Sequence, residues 1–132
     1  MSAIYEPFSK VGKVLEDVPG IRYAVIFGSV ASGTALADSD LDIAVDVGRP
    51  LDASARFGLI EALAAATGRA VDLIDLRTVG EPLLGQIVKH GRRVIGRDAD
   101  QAELVRRHLF EVQDFLPYVD RMLSERRRAW IG

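Results

Sequence analysis

Short apolar segments with the composition of buried strands alternate along this chain with segments whose apolar residues recur at helical spacing. Residues 21–27 and 70–76 are rich in β-branched residues and are typical of buried strands. Residues 40–47 place apolar residues on one face of a strand, and three aspartates with an alanine on the other. A chain with this alternation is expected to fold as a small α/β domain.

The remaining segments continue the same alternation. Helices are predicted over residues 9–17, 52–67, 81–91 and about 100–128, with a short strand over residues 93–95. Asp52 or Ser54 is expected to cap the second of these helices, and Gly68 is expected to end it. Pro117 is expected to kink or split the last helix.

The last helical segment carries a continuous apolar stripe, which consists of Val105, Leu109, Val112, Leu116, Val119 and Leu123. We expect this stripe to pack on the core, and the alternative is that it presents a surface to a partner. The basic cluster at residues 126–128 is interpreted as a solvated helix end. The chain is therefore predicted to form a domain over residues 1–98 and a helical extension over residues 99–132 that packs on it.

Composition and charge exclude several classes of protein. Seventeen basic and nineteen acidic residues give a net charge of −2, whereas a protein that binds duplex DNA normally has a basic face. The chain has no cysteine, which rules out disulfides, thiolate zinc sites and cysteine nucleophiles. No apolar run approaches the ~18 residues of a membrane span, and the first residues lack a signal-peptide pattern. We therefore expect a cytoplasmic protein without DNA or membrane partners.

The segment from residue 27 to residue 42 combines glycines, serines and aspartates, and three common motifs fail to explain it. Gly28 and Gly33 have the spacing of P-loop glycines, but Thr34 stands where that motif needs lysine. A calcium-binding loop that starts at Asp38 would need glycine and glutamate where isoleucine and arginine stand. The segment also lacks the Gly-x-Ser-x-Gly turn of serine hydrolases.

Physical chemistry suggests a different role for this segment. Gly28 and Ser29 end a strand and could open a helix, so that their backbone N–H groups can converge on a phosphate. Asp40 and Asp42 leave the same face of the next strand, where two carboxylates repel each other unless a divalent cation neutralises them. Carboxylate oxygens and nucleotide phosphates favour Mg²⁺ or Mn²⁺. The pattern therefore indicates nucleotidyl transfer.

This pattern resembles the Gly-Ser-x10-Asp-x-Asp signature of the DNA polymerase β nucleotidyltransferase superfamily, carried here by Gly28, Ser29, Asp40 and Asp42. The chain is similar in size to the minimal nucleotidyltransferase (MNT) branch of that superfamily, and Gly33 and Ser39 also match its pattern. The resemblance extends over about residues 9–98. It implies an α+β fold with a small mixed sheet flanked by helices.

The third carboxylate of the family's site has two candidates in the strand over residues 70–76. Asp72 and Asp75 lie on opposite faces of a strand, so that at most one of them can join Asp40 and Asp42. The resemblance favours Asp72. Asp75 is then expected to be a strand-end or capping residue.

The resemblance also implies cofactors and binding residues. Two Mg²⁺ ions, with Mn²⁺ as an alternative, would be held by Asp40, Asp42 and Asp72. ATP would be the co-substrate, bound through Gly28, Ser29, Gly33 and Ser39. One residue departs from the pattern, because Val30 stands where related proteins often have an arginine. This departure leaves room for a protein that binds its partner without catalysis.

The resemblance further implies a protein partner. With 132 residues the chain has little beyond a catalytic core, and we expect another protein to complete the acceptor site. Stand-alone MNT proteins resemble the antitoxin half of HEPN/MNT toxin–antitoxin pairs, in which AMP is transferred to a tyrosine of the HEPN ribonuclease toxin. We therefore expect an antitoxin nucleotidyltransferase in a hetero-oligomer with its toxin. The alternatives are an antitoxin that only masks the toxin and a small-molecule nucleotidyltransferase.

The sequence around the two histidines argues against this chain being the toxin half of such a pair. A HEPN nuclease has an arginine, then four to six residues, then a histidine. Neither His90 nor His108 has an arginine at that distance. Both are interpreted as surface or core residues.

Overall fold

A computed structural model of the chain describes the backbone of residues 6–131 and the side chains of residues 6–113 and 121–126. Its helices and strands, in chain order, are α1 (Glu6–Glu16), β1 (Tyr23–Phe27), α2 (Gly28–Ser32), β2 (Leu41–Asp46), α3 (Ala53–Thr67), β3 (Val71–Asp75), α4 (Leu83–His90), β4 (Arg92–Ile95) and α5 (Asp98–Ile131). The predicted alternation is confirmed. The expectation about a signal peptide concerns mainly residues 1–5, which lie outside the described part.

Strands β1 to β4 form one mixed sheet in the order β3-β2-β1-β4. β1 pairs antiparallel with both β2 and β4, whereas β2 and β3 are parallel. A parallel pair needs a crossover connection, and α3 provides it. This arrangement confirms the expected α+β fold with a small mixed sheet flanked by helices.

Each face of the sheet has its own apolar core. α1 and α3 cover one face, where the buried residues are Val11, Leu15, Ala24, Ile26, Val30, Ala31, Leu41, Ile43, Val45, Val47, Leu59, Leu63 and Leu73. α4 and the start of α5 cover the other, called here the α4 face, where the buried residues are Tyr23, Val25, Phe27, Ala44, Leu76 and Ile87. Because side chains two residues apart in a strand point the same way, Asp42 shares the α4 face with Ala44.

The ends of α3 are determined by residues that the sequence pattern indicates. The Asp52 carboxylate caps the first turn by accepting a hydrogen bond from the Ala55 N–H at 2.7 Å. Gly68 ends the helix with a φ of 69°, a conformation that favours glycine. Of the two capping residues that the sequence allows, Asp52 is the one used, and Ser54 lies inside the first turn.

α5 runs without interruption over Asp98–Ile131, across Pro117. The predicted split of this helix is therefore wrong. A proline inside a helix removes one backbone hydrogen bond, and the bonds of the neighbouring turns can keep the helix in one run. The side chain of Pro117 lies outside the described part.

The apolar stripe of α5 packs on the domain only in part. Val105 and Val112 of the stripe are half-buried, and Leu104, which precedes the stripe, packs against the core of the α4 face. Leu109 and Leu123 keep 55% and 53% of their surface exposed, so the expected packing of the whole stripe is wrong for these two residues. Leu109 lies between the buried His108 and the half-buried Val112, so it is on the side of α5 that faces away from the domain. Leu123 lies far along a helix of 34 residues, which at about 1.5 Å each extends well beyond the short strands of the sheet.

Some sequence predictions concern side chains outside the described part, namely those of Leu116, Val119, Arg127 and Arg128. Arg126 is exposed, as expected for a solvated helix end. The division into residues 1–98 and 99–132 stays a prediction, although α5 begins close to that boundary. Over residues 6–131, none of the helices combines the length and the apolar character needed to cross a membrane.

Candidate active site

The chain turns at Gly28, directly after β1, and this turn lies against the carboxylate of Asp42. Gly28 has a φ of +70°, which L-amino acids with side chains rarely adopt. A Cβ atom at this position would lie 2.1 Å from the Asp42 Oδ2 atom. Glycine is therefore required twice, by the backbone conformation and by the close approach of the Asp42 carboxylate.

The register of the sheet brings the predicted residues into one row. Phe27, the last residue of β1, pairs with Asp42, and Asp42 pairs with Asp72 on the neighbouring parallel strand. Directly paired residues project their side chains from the same face of a sheet. The Gly28 turn, Asp42 and Asp72 thus follow one another across three strands, and Asp40 lies in the loop immediately before β2. We call the Gly28 turn and the three aspartates together the carboxylate row.

The carboxylates of this row interact electrostatically. Burial raises the pKa of Asp42 above the usual aspartate range, and the negative charges of Asp72 and then Asp40 raise it further. Groups so close together carry a mutual repulsion that a proton or a cation relieves. The row is therefore a place where a positive charge would be stabilised.

A divalent cation fits the donor set of the carboxylate row. Aspartate oxygens are hard ligands, and Mg²⁺ is typically bound by one or two carboxylates together with substrate phosphates. Among the residues that the structure describes, no group of three or more acidic or histidine side chains is already gathered into a metal cage. An open arrangement of this kind suits a metal that binds together with a nucleotide.

Asp75 lies on the opposite face of β3 from Asp72 and has a structural role. It is buried, with 6% of its surface exposed. Its carboxylate accepts hydrogen bonds from the backbone N–H groups of Leu51 at 3.0 Å and Arg77 at 2.9 Å. These bonds give Asp75, the last residue of β3, a structural role, and Asp72 as the third carboxylate of the site stays a prediction.

The residues after Gly28 form the short helix α2. Ser29 is half-buried in its first turn, whereas Val30 is 5% exposed and packs in the core on the face opposite the carboxylate row. Gly33 ends α2 with a φ of +78°, and a Cβ atom there would meet open space. Contact of these residues with a nucleotide stays a prediction.

The loop before Asp40 contains a residue contact that the sequence pattern does not reveal. The Ser39 hydroxyl, predicted to bind the nucleotide, accepts a hydrogen bond from the Leu36 N–H at 2.8 Å and so closes a turn. Arg69 Nη1 donates to the backbone carbonyls of Leu36 at 2.8 Å and Ser39 at 2.9 Å. Because Arg69 lies 30 residues after Ser39, no local motif could have indicated this contact.

The two histidines have the positions expected of core and surface residues. His108 is buried in α5, and its Nδ1 atom lies 2.5 Å from the Glu81 Oε1 atom. His90, the last residue of α4, is exposed.

Comparison with known sequences agrees with this geometry. A family model described as "Polymerase beta, Nucleotidyltransferase" matches residues 9–100. The protein adenylyltransferase MntA of Shewanella oneidensis is 39% identical to this chain over 93 residues, which are 70% of this chain and 67% of MntA.

Two solved structures are similar over nearly the whole of each chain. A crystal structure of a toxin–antitoxin with AMP-PNP matches with a TM-score of 0.80 and 31% identity, covering 89% of this chain and 96% of that chain. A tri-AMPylated Shewanella oneidensis HEPN toxin in complex with MNT antitoxin matches with a TM-score of 0.76 and 28% identity, covering 92% of this chain and 97% of that chain.

Proposed function

This chain belongs to the polymerase beta nucleotidyltransferase family, and on that premise we propose that it is a protein adenylyltransferase that acts as an antitoxin. It transfers AMP from ATP to a tyrosine of a cognate HEPN ribonuclease toxin and so neutralises the toxin. Its relative MntA is a protein adenylyltransferase, and one structural neighbour is an MNT antitoxin in complex with a tri-AMPylated HEPN toxin. We place the reaction in the cytoplasm, where ATP is available.

One observation on the chain itself carries this proposal. The Asp42 carboxylate lies against the Gly28 turn, and Asp72 lies beside Asp42 in register. A glycine turn open to phosphate and a set of carboxylates are therefore within reach of the same bound nucleotide. Transfer of a nucleotidyl group requires this juxtaposition, because the α-phosphate must be held and its charge neutralised at one point.

Asp40, Asp42 and Asp72 are the residues that would hold the metal, as two Mg²⁺ ions or their Mn²⁺ substitutes. When bound, the metal neutralises these carboxylates, polarises the α-phosphate and stabilises the leaving pyrophosphate. The backbone N–H groups of Gly28 and Ser29 orient the phosphates of ATP.

The transfer itself is a single displacement at phosphorus. The tyrosine oxygen of the toxin forms a bond to the α-phosphorus while the bond to the bridging oxygen breaks, and pyrophosphate leaves. Asp72 accepts the phenolic proton. Asp40 and Asp72 are exposed, so that a side chain of another protein can reach the row from solvent. The step needs no covalent intermediate on this chain, in agreement with the absence of cysteine.

The position of Val30 weakens the case for the alternative function, in which the chain binds and masks its toxin without catalysis. That alternative depended on the loss of an arginine that could contact the triphosphate. Val30 packs in the core behind the sheet, on the side away from the carboxylate row. A valine at this position therefore stabilises the fold and leaves the nucleotide side of the Gly28 turn unchanged.

The decisive experiment measures transfer to the toxin. The chain is incubated with ATP labelled in the α-phosphate, Mg²⁺ and its cognate HEPN toxin, and both label on the toxin and ribonuclease activity are followed. We expect label and loss of ribonuclease activity with the wild type, and neither with the Asp40→Asn/Asp42→Asn variant.

Asp46→Asn is the matched control for this experiment. Asp46 lies on the same strand and the same face as Asp42, but four residues further along, where it accepts a hydrogen bond from the Gly48 N–H at 2.8 Å. The control is expected to label the toxin like the wild type. Inhibition of the toxin without label, by the wild type and the double variant alike, would establish masking in place of transfer.

A further inference from the structure

Asp40 lies in a loop, yet the chain before it is held by a side chain from another element. Arg69 Nη1 donates to the carbonyl oxygens of Leu36 and Ser39, at 2.8 Å and 2.9 Å. Ser39 is the residue directly before Asp40. The guanidinium group of Arg69 therefore holds the chain one residue away from a proposed metal ligand.

The turn that Arg69 contacts is closed by its own hydrogen bonds. The Ser39 N–H donates to the Leu36 carbonyl at 3.1 Å, and the Ser39 hydroxyl accepts from the Leu36 N–H at 2.8 Å. The Leu36 carbonyl thus accepts both from Ser39 and from Arg69. Residues 36–39 form a compact unit, and Arg69 connects that unit to the chain before β3.

The residue after Asp40 is also held in place, by the residue that follows Arg69. The Leu41 N–H donates to the Ala70 carbonyl at 2.8 Å. Two residues after Ala70 comes Asp72, which pairs with Asp42. The segment over residues 69–72 therefore contacts the chain on both sides of Asp40 and also carries the third carboxylate.

We infer that Arg69 is a positioning residue of the metal site, because its guanidinium fixes the turn over residues 36–39 and thereby holds the Asp40 carboxylate beside Asp42 and Asp72. The inference rests on the proposed function and deepens it. A carboxylate on an unrestrained loop would lose conformational freedom when it binds a metal, and this loss would weaken binding. Groups that hold metal ligands in place typically change metal affinity by about 10- to 100-fold.

The test measures metal binding without the toxin. Arg69→Met removes the donors and keeps an apolar side chain, whereas Arg69→Lys keeps a donor on a shorter side chain. Binding of Mn²⁺ in the presence of AMP-PNP is followed by electron paramagnetic resonance. We expect the affinity for Mn²⁺ to fall by at least about tenfold in Arg69→Met, with an intermediate loss in Arg69→Lys.

Arg107→Met is the matched control for a loss of stability alone. Arg107 is a half-buried residue of α5 that, like Arg69, donates to two backbone carbonyls, here those of Leu76 and Val79. Both carbonyls lie after the end of β3, and neither belongs to a residue next to one of the three aspartates. We expect Arg107→Met to bind Mn²⁺ like the wild type.

Amide hydrogen exchange supplies a second measurement that needs no metal. Arg69→Met is expected to speed exchange of the Ser39 and Leu41 amides, and Arg107→Met is expected to leave both unchanged. Wild-type Mn²⁺ affinity in Arg69→Met, or an equal loss in Arg107→Met, would overturn the inference alone. A wild type that binds no Mn²⁺ with AMP-PNP would overturn the proposed function together with the inference.

Discussion

At the scale of single residues, glycine is required at residue 28 for two reasons, and the effects of a substitution on stability and on activity can be measured separately. A methyl group at Gly28 would face an unfavourable φ of +70° and would also collide with the Asp42 carboxylate. We expect Gly28→Ala to lower the free energy of unfolding by about 1–2 kcal/mol for the backbone alone. Because the substitution displaces Asp42, we expect AMP transfer to fall by about 100-fold. Urea unfolding and the rate of label transfer measure the two effects.

Gly48→Ala separates the backbone effect from the effect on the site. Gly48 has a φ of +81°, and the nearest atom to an added Cβ is the Arg22 Nε at 3.1 Å, in an exposed side chain that can move. The control is expected to lose a similar amount of stability and to keep its rate of AMP transfer. Equal losses of activity in both variants would show that the contact with Asp42 is not what requires glycine at residue 28.

The raised pKa of Asp42 predicts how stability depends on pH in the absence of metal. The folded chain holds the Asp42 proton more tightly than the unfolded chain, whose aspartates titrate near pH 3.9. As the pH rises through this region, the unfolded chain releases its proton first, and the folded state loses stability. Asp42→Asn removes this loss, so its melting temperature should exceed that of the wild type at neutral pH.

Thermal unfolding in EDTA from about pH 3 to about pH 7 tests this pH dependence. The difference between Asp42→Asn and the wild type should grow with pH and then become constant above the raised pKa. Asp46→Asn keeps an oxygen that accepts from the Gly48 N–H and loses only the partly exposed ion pair with Arg77, so it should stay within about 1 kcal/mol of the wild type and show no gain that grows with pH. A loss of stability at neutral pH in Asp42→Asn would contradict the prediction.

At the scale of elements, α5 is attached to the segment that follows β3. Arg107 Nη1 donates to the Leu76 carbonyl at 2.6 Å, and its Nη2 donates to the Val79 carbonyl. The next residue, His108, contacts Glu81. These contacts hold the first turns of a helix whose later residues include the exposed Leu123.

Loss of the Arg107 side chain is expected to weaken this attachment. Arg107→Met leaves two half-buried carbonyl groups without their charged donor, so we expect the free energy of unfolding to fall by about 1–3 kcal/mol. Arg106→Met is the control, since Arg106 pairs with Glu103 on the exposed surface and should change stability by at most about 0.5 kcal/mol. Urea unfolding distinguishes the two, and similar values for both variants would contradict the role of Arg107.

At the scale of the whole molecule, the carboxylate row spans three strands, so binding at the row should stabilise the entire domain. A ligand that binds only the folded chain adds about 2.7 kcal/mol of stability at a concentration of 100 times its Kd. We expect Mg²⁺ with AMP-PNP to raise the melting temperature of the wild type, and EDTA to abolish the rise. Asp40→Asn/Asp42→Asn should show no rise, and Asp46→Asn should show one. A rise of equal size in the double variant would place the nucleotide elsewhere.

Much of the fold and of the site follows from local patterns in the sequence. The period of two in β2 places Asp42 on one face, and the three-residue spacing of Asp72 and Asp75 excludes one of them from the site. Asp52 and Gly68 mark the ends of α3 because capping depends on the residues at the helix ends. These features involve residues close together in the chain, and their physical causes act over a few residues.

Other features were decided only by the tertiary structure, because they depend on which segments become neighbours. The register that sets Asp42 beside Asp72, the contact of Arg69 with the turn before Asp40, and the core position of Val30 all join distant parts of the chain. The exposure of Leu109, next to the buried His108, also depends on which side of α5 faces the domain. The sequence by itself thus determined the elements and the chemistry of the carboxylates, since both are local properties. Packing decided which carboxylates meet and what holds them there, since side chains distant in sequence are brought together only when the strands pair.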